Sequence, residues 1–466
     1  MVRWIPGLLL LACPAFAGTA ADIARAIREN SFDRDECYRV RDLTIVKEDI
    51  RIYLTDGHLI FSKPVAGRRI AAVFTADVEG GDGEVLLLPP DRAERRSLAG
   101  YTDSPNLDEH FHAALFLFTG DDYEKLTSQL PDNPANKKAP EMGALLDEEW
   151  TPALRNLGAS YGTRLTLDLL GGPGRTAGLF AALFRSPKRG NFDLSFDPAN
   201  PEEIVAGQLN TRNNQLFFDV WTSFQARSSR KTPPRPRLDI AVRDYRIEAT
   251  VSPDLTLSAV TRVKVKPAVD GLMATVFDIT PQMEVSAVTV DGRAAELLQR
   301  ESLRLNAIRD GNNFSLVVPP EPLRAGREYE FEFHHSGKVI FSSGDRVFYV
   351  SSRGNWYPMH GAQFAQYDLT FKYPKDLDLV SAGAIVEDRT EGDWRITRRR
   401  TDSTIRMAAF NLGDYEHARL ERGGYVIDVC ANRALERALQ PKLQATLPAV
   451  PSPPGWRGNC QRSSRL

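Results

Sequence analysis

Polar and apolar positions alternate with a period of two along most of this chain. The plainest stretches are residues 245–251 (YRIEATV) and 329–333 (YEFEF), where every second side chain is apolar, as a strand with one buried and one wet face requires. The same period, punctuated by Asp56-Gly57, Ala66-Gly67 and the glycine-rich segment 79–83, predicts strands over 43–46, 50–54, 58–61, 70–76, 84–88 and 113–118. Further strand-like runs fall at 163–170, 178–184, 192–196 and 216–224. A second series follows at 238–250, 256–265, 274–277, 285–290, 314–318, 328–334, 347–350, 367–373, 379–384, 394–397 and 404–411. Helical spacing replaces alternation near the start, where Ile23, Ala26 and Ile27 oppose Arg25, Arg28 and Glu29, and again at 91–98, 122–130 and from 140 to about 156.

The pattern predicts a mainly β protein: two β-rich domains with a few inserted helices, spanning 18–225 and 238–440. Tight connections at Asp291-Gly292 and Ala325-Gly326 point to antiparallel sheets in the second, packed as a sandwich or saddle. Between the two lies 226–237 (ARSSRKTPPRPR), basic and proline-rich, which reads as an extended, solvated linker. From 441 to 466 there is no acidic residue and no apolar period, a composition expected to stay disordered.

Composition adds bounds. A net charge of -2 and the lack of a basic stripe argue against nucleic acid or anionic lipid as partner. The first seventeen residues have the layout of an export signal: Arg3, the apolar run 8–12, then Ala15-Phe16-Ala17 as an A-x-A cleavage site. That predicts an exported, periplasmic or secreted protein starting at Gly18 without a transmembrane segment. A rival reading makes Cys13 a lipid-attachment residue after Leu10-Leu11-Ala12, although Pro14 favours cleavage. The remaining cysteines, Cys37, Cys430 and Cys460, are odd in number and widely spaced, so neither a disulfide framework nor a cysteine zinc site is expected.

Seven phrases carry a family resemblance, in order over about 180 residues: 245–265, 285–292 (VSAVTVDG), 322–337 (PLRAGREYEFEFHHSG), 355–358 (NWYP), 367–374 (YDLTFKYP), 380–383 (VSAG) and 409–415 (AFNLGDY). Together they resemble the amino-terminal β domain of the aminopeptidase N family of zinc metallopeptidases, and residues 40–225 resemble the extra region ahead of it in some long bacterial relatives. The resemblance implies a saddle of sheets anchored by Trp356, Tyr357 and Trp394. In the family the chemistry belongs to a following domain, where H-E-x-x-H and a downstream glutamate hold zinc and a G-x-M-E-N loop holds the substrate's amino group. None of these motifs occurs here. Gly361-Ala362-Gln363-Phe364-Ala365 begins like the anchoring loop but lacks Met-Glu-Asn.

No catalytic, cofactor-binding or metal residue is therefore assigned, and no cofactor is expected; zinc belongs to a full-length relative. The strongest remaining metal candidate is Asp108-Glu109-His110-Phe111-His112, because H-x-H on a strand puts both imidazoles on one face. His334 and His335 should point to opposite faces. Residues 171–176 (GGPGRT) lack the spacing and lysine of a phosphate loop, 77–83 lacks calcium-loop spacing, and Ser195 and Ser223 sit in no G-x-S-x-G elbow. The leading expectation is an exported aminopeptidase-N-like protein without its zinc domain and without activity. The alternatives are a stand-alone module binding a peptide or protein, and a metal-dependent hydrolase using His110 and His112. The abrupt change after the helical 434–439 further suggests a shifted reading frame, with the zinc motifs encoded downstream of codon 440 in another frame.

Overall fold

The computed structural model describes residues 19–76, 81–171, 178–231, 239–299, 313–350 and 355–432. The predicted signal, Cys13 and the predicted tail lie outside them.

An eleven-stranded sheet fills the first half. Its main path runs Gln215–Phe224, Ile204–Arg212, Gly190–Phe196, Phe180–Ser186, Ala113–Phe118, Ala71–Ala76, Ile50–Ser62, Phe32–Lys47 and Lys137–Lys138, with Gly83–Leu87 and Leu107–Phe111 branching from Ile50–Ser62. Both faces are covered. Leu59, Phe61, Ala72 and Phe74 enter one core while Ile60, Ala71 and Val73 enter another, which explains why Ala113–Phe118 is apolar at all six positions and buried throughout.

Five α-helices are described: α1 (Ala20–Arg28), α2 (Arg92–Thr102), α3 (Asp122–Gln129), α4 (Pro140–Ser160) and α5 (Gly162–Gly171). One face of the sheet is roofed by α1, α4 and α5 through Ile23, Ile27, Leu146, Trp150, Leu154, Leu165 and Leu169. Leu98 of α2 and Leu126 of α3 pack into the other core. The strand predicted over 163–170 is α5 instead. Leu165 and Leu169, four apart, bury one helical face, and an apolar run this short does not tell strand from helix by its period alone.

The predicted linker begins as part of the first half rather than as a solvated run. Ala226 is buried and its N–H donates to Glu203 at 3.0 Å. Arg227 pairs with Asp49 at 2.6 Å, and Arg230 pairs with Asp91 and, at 2.6 Å, with Glu94. Asp91 and Glu94 form the capping box of α2, so the cation joins two acids already fixed at a helix start. Residues 232–238 lie outside the described set.

The second half is built on an eight-stranded sheet in the order Arg293–Ala294, Met283–Val290, Tyr329–Gly337, Leu257–Pro267, Ile240–Val251, Gln366–Pro374, Trp394–Arg400 and Ala384–Glu391. Against it lie a three-stranded sheet (Thr275–Ile279, Asn313–Val318, Glu296–Gln299) and a four-stranded one (Ile340–Gly344, Val347–Val350, Phe410–Gly413, Asp378–Ser381). One core joins them through Phe277, Phe331, Phe333, Trp356, Phe371 and Phe410. Among the described residues the pairing is antiparallel except between Ile240–Val251 and Gln366–Pro374, which run parallel. A two-stranded hairpin, Tyr415–Arg422 and Tyr425–Asn432, forms a sheet of its own and is tied to this assembly by Asn432 Nδ2, which donates to the Asp345 carbonyl at 2.8 Å. No helix among the described residues is long and apolar enough to cross a membrane.

Candidate functional site

The histidine pair singled out by sequence does not form a joint site. His110 ends its alternation on Leu107–Phe111, whereas His112 sits in the bend that follows, its N–H donating to the Arg185 carbonyl at 3.0 Å. Both side chains are exposed. His110 Nδ1 lies 2.6 Å from Asp82 Oδ2, and Thr55 Oγ1 donates to Asp82 Oδ1 at 2.6 Å. The hydrogen bond to Asp82 raises the imidazole above its ordinary pKa. Partial burial opposes ionisation of Asp82, but the bonds from Thr55 and His110 prevail and lower its pKa. Among the described residues no third donor converges on His110 and His112.

His334 and His335 do lie on opposite faces of Tyr329–Gly337. The first is exposed and 2.9 Å from Glu332; the second is buried with Nε2 2.9 Å from Thr261 Oγ1. The segment 361–365 is structural: the Gln363 carboxamide donates to the carbonyls of Ile240 at 3.2 Å and His360 at 3.0 Å, and accepts from Val242 N–H at 3.0 Å. Trp356 and Tyr357 are fully buried anchors, as expected. Trp394 is not: it is half-exposed, with Lys372 Nζ 5.0 Å from its ring centre, so it caps the sheet by a cation–π contact. Ser195 and Ser223 are ordinary strand residues. Residues 77–80 of the acidic glycine-rich segment and 172–177 of the glycine-rich loop lie outside the described residues.

The one converging group of potential metal donors among the described residues is His417, Asp428 and Cys430. It lies on the hairpin whose turn is Gly423-Gly424, both in the left-handed region. In the register, His417 stands directly opposite Cys430, and Arg419 opposite Asp428; alternation then puts His417, Asp428 and Cys430 on one face. Nδ1 of His417 is 3.4 Å from Asp428 Oδ1 and 3.5 Å from Cys430 Sγ. Arg419 is turned to Glu421, at 3.0 Å, rather than to Asp428. Burial, and then the Asp428 charge, raise the Cys430 thiol above its ordinary pKa. The opposite face of the hairpin is apolar and exposed, with Leu420 beside Ile427 and Ala418 beside Val429.

Sequence reasoning missed this group because the three residues match no chain-spacing motif. The signal was present all the same. A Gly-Gly turn fixes a two-residue hairpin, and counting six residues outward from either glycine reaches His417 and Cys430.

Neither a protein-family model nor a curated protein matches the chain. Among solved structures it is similar to an M1 zinc metallopeptidase from Deinococcus radiodurans, at 15% identity and a TM-score of 0.32 over 41% of this chain and 46% of that one. It is also similar to a two-domain M1 zinc metallopeptidase mutant bound to L-tryptophan, at 16% identity and a TM-score of 0.34 over 48% of this chain and 52% of the other. The chain thus spans about half the length of these structures.

Proposed function

We propose that this chain is the non-catalytic β platform of an exported aminopeptidase-N-like protein and hydrolyses no peptide bond by itself. One observation carries the reading: the phrases that bear the resemblance are the ones that lock the second core. Trp356 Nε1 donates to the Ala408 carbonyl at 2.8 Å, the Ala408 N–H donates to Tyr357 Oη at 3.1 Å, and Tyr357 Oη donates to Tyr367 Oη at 2.9 Å. Two phrases, 355–358 and 367–374, are thereby tied to each other and to Ala408, the residue just before the phrase 409–415, in one buried network, the use expected of residues that specify a fold.

The test is hydrolysis of aminoacyl anilides by purified protein. The H-E-x-x-H motif, with the glutamate that serves as general base in that chemistry, does not occur in the sequence, so turnover should match buffer with or without zinc. Chelator-sensitive turnover that survives repurification would overturn the proposal. Export has its own readout: the protein recovered outside the cytoplasm should begin at Gly18, whereas a lipid on Cys13 would establish the anchored form.

A second reading, a stand-alone module that binds a peptide or protein, is favoured by the exposed apolar hairpin face at Leu420, Ile427 and Val429. The DNA downstream of codon 440 separates the two. Zinc motifs there in any frame support the platform, and their absence supports the module.

A further inference from the structure

We propose that His417, Asp428 and Cys430 hold one divalent cation of the zinc class on the polar face of the hairpin. The argument is independent of the platform reading, since it uses only donors within this chain.

The donor set comes first. An imidazole nitrogen, a carboxylate oxygen and a thiol are the three ligand types that zinc takes from proteins, and the soft sulfur selects against magnesium and calcium. Cys430 forms no disulfide among the described residues.

The spacing comes next. Metal–ligand lengths of about 2.3 Å to sulfur and about 2.0–2.1 Å to nitrogen and oxygen, at tetrahedral angles, place nitrogen about 3.5 Å from sulfur and about 3.3 Å from oxygen. The structure has 3.5 Å from His417 Nδ1 to Cys430 Sγ and 3.4 Å to Asp428 Oδ1, with all three donor atoms within 4.8 Å of one another. A purely hydrogen-bonded cluster explains this less well. The imidazole–carboxylate separation exceeds the roughly 2.7–3.2 Å usual for such a bond, and one nitrogen has to face both an acceptor and a thiol. His417 Nδ1 is thus at tetrahedral separation from both other donors, and closing Asp428 Oδ1 and Cys430 Sγ, within 4.8 Å in this structure, to about 3.5 Å completes the set around one cation.

The surroundings are permissive. Arg419, the cation that could have neutralised Asp428, is held by Glu421. His417 and Asp428 are exposed, which leaves the fourth tetrahedral position open to water or to a ligand from another molecule. That is the pattern of three protein donors plus one open place. The hairpin register preorganises the site: fixing the Gly423-Gly424 turn and the ladder of Tyr415–Arg422 with Tyr425–Asn432 brings the donors together without long-range closure.

Cobalt(II) tests the proposal, because it accepts the same ligands and reports them by absorption. Full-length protein, reduced and metal-free, should bind one equivalent, giving a thiolate-to-cobalt charge-transfer band and tetrahedral visible bands that zinc abolishes. Cys430→Ser should remove the charge-transfer band, while Cys37→Ser and Cys460→Ser retain it. His417→Gln and Asp428→Asn, both near-isosteric and at exposed positions, should each weaken zinc binding by ~10-fold or more with unchanged circular dichroism. Absence of the band at millimolar cobalt, or a band that survives Cys430→Ser, overturns the site.

Discussion

Glu296 closes the start of the first helix from the other half of the molecule: its carboxylate accepts the N–H of Ala21 at 2.8 Å and that of Ala20 at 3.1 Å. Those two donors belong to the first turn of α1, which has no intrahelical acceptor for them. Thr19 and Asp22 form a capping box at the same end, and the anionic Glu296 adds charge where the helix dipole is positive. Around the contact Ala20 and Ala24 pack on Ala274, Leu298 and Leu316.

Glu296→Ala should therefore loosen α1 and the contact between the halves together. The expected loss is about 1–2 kcal/mol, the size of a lost helix cap with its dipole term. Thermal unfolding would show a lower transition, and hydrogen exchange would rise in α1 and in Glu296–Gln299 together. An exchange change confined to one of the two segments would mean that Glu296 does not couple them.

The alternating strands were legible because burial follows parity. Tyr245, Ile247, Ala249 and Val251 are buried while Arg246 between them is exposed, so the sequence carries the sheet's two faces directly. The same rule failed at α5, where Leu165 and Leu169 alternate no differently from a strand over so few residues. Pairing direction was also hidden. Ile240–Val251 and Gln366–Pro374 are distant in sequence, and the parallel ladder between them leaves no mark on either strand's own pattern. At the hairpin the donors look unrelated along the chain, and only the register set by Gly423-Gly424 makes His417 and Cys430 neighbours.

His335 gives the protein an acid sensitivity of known sign. Burial, with a smaller contribution from His334, drives its pKa from 6.5 down to about 3. The unfolded chain takes up this proton near pH 6.5 and the folded one only near 3, so stability is complete above pH 6.5 and is lost as pH falls through that window. His335→Gln should flatten the decline between pH 6.5 and 3, on the order of a few kcal/mol. The check is denaturant unfolding at several pH values for both proteins. Parallel curves would show that the buried imidazole does not govern the acid response.

Tyr357 tests whether the hydrogen-bonded phrase residues hold the second core or merely lie in it. Its hydroxyl donates to Tyr367 and accepts from Ala408 N–H, and all of this is buried. Tyr357→Phe keeps the ring, which packs edge-on against Tyr245 at 5.3 Å and Trp356 at 5.0 Å, and deletes only the oxygen. The Ala408 N–H is then left buried without its acceptor, and the Tyr367 hydroxyl loses its donor. Leaving such groups unmatched costs about 1–3 kcal/mol, so the denaturation midpoint should fall with an unchanged denaturant slope. Tyr367→Phe should cost less, because the Ala408 N–H keeps its acceptor, and the double variant should fall short of the sum, as neighbours in one network do. Additive losses would show two independent contacts and remove the network that ties the phrases together.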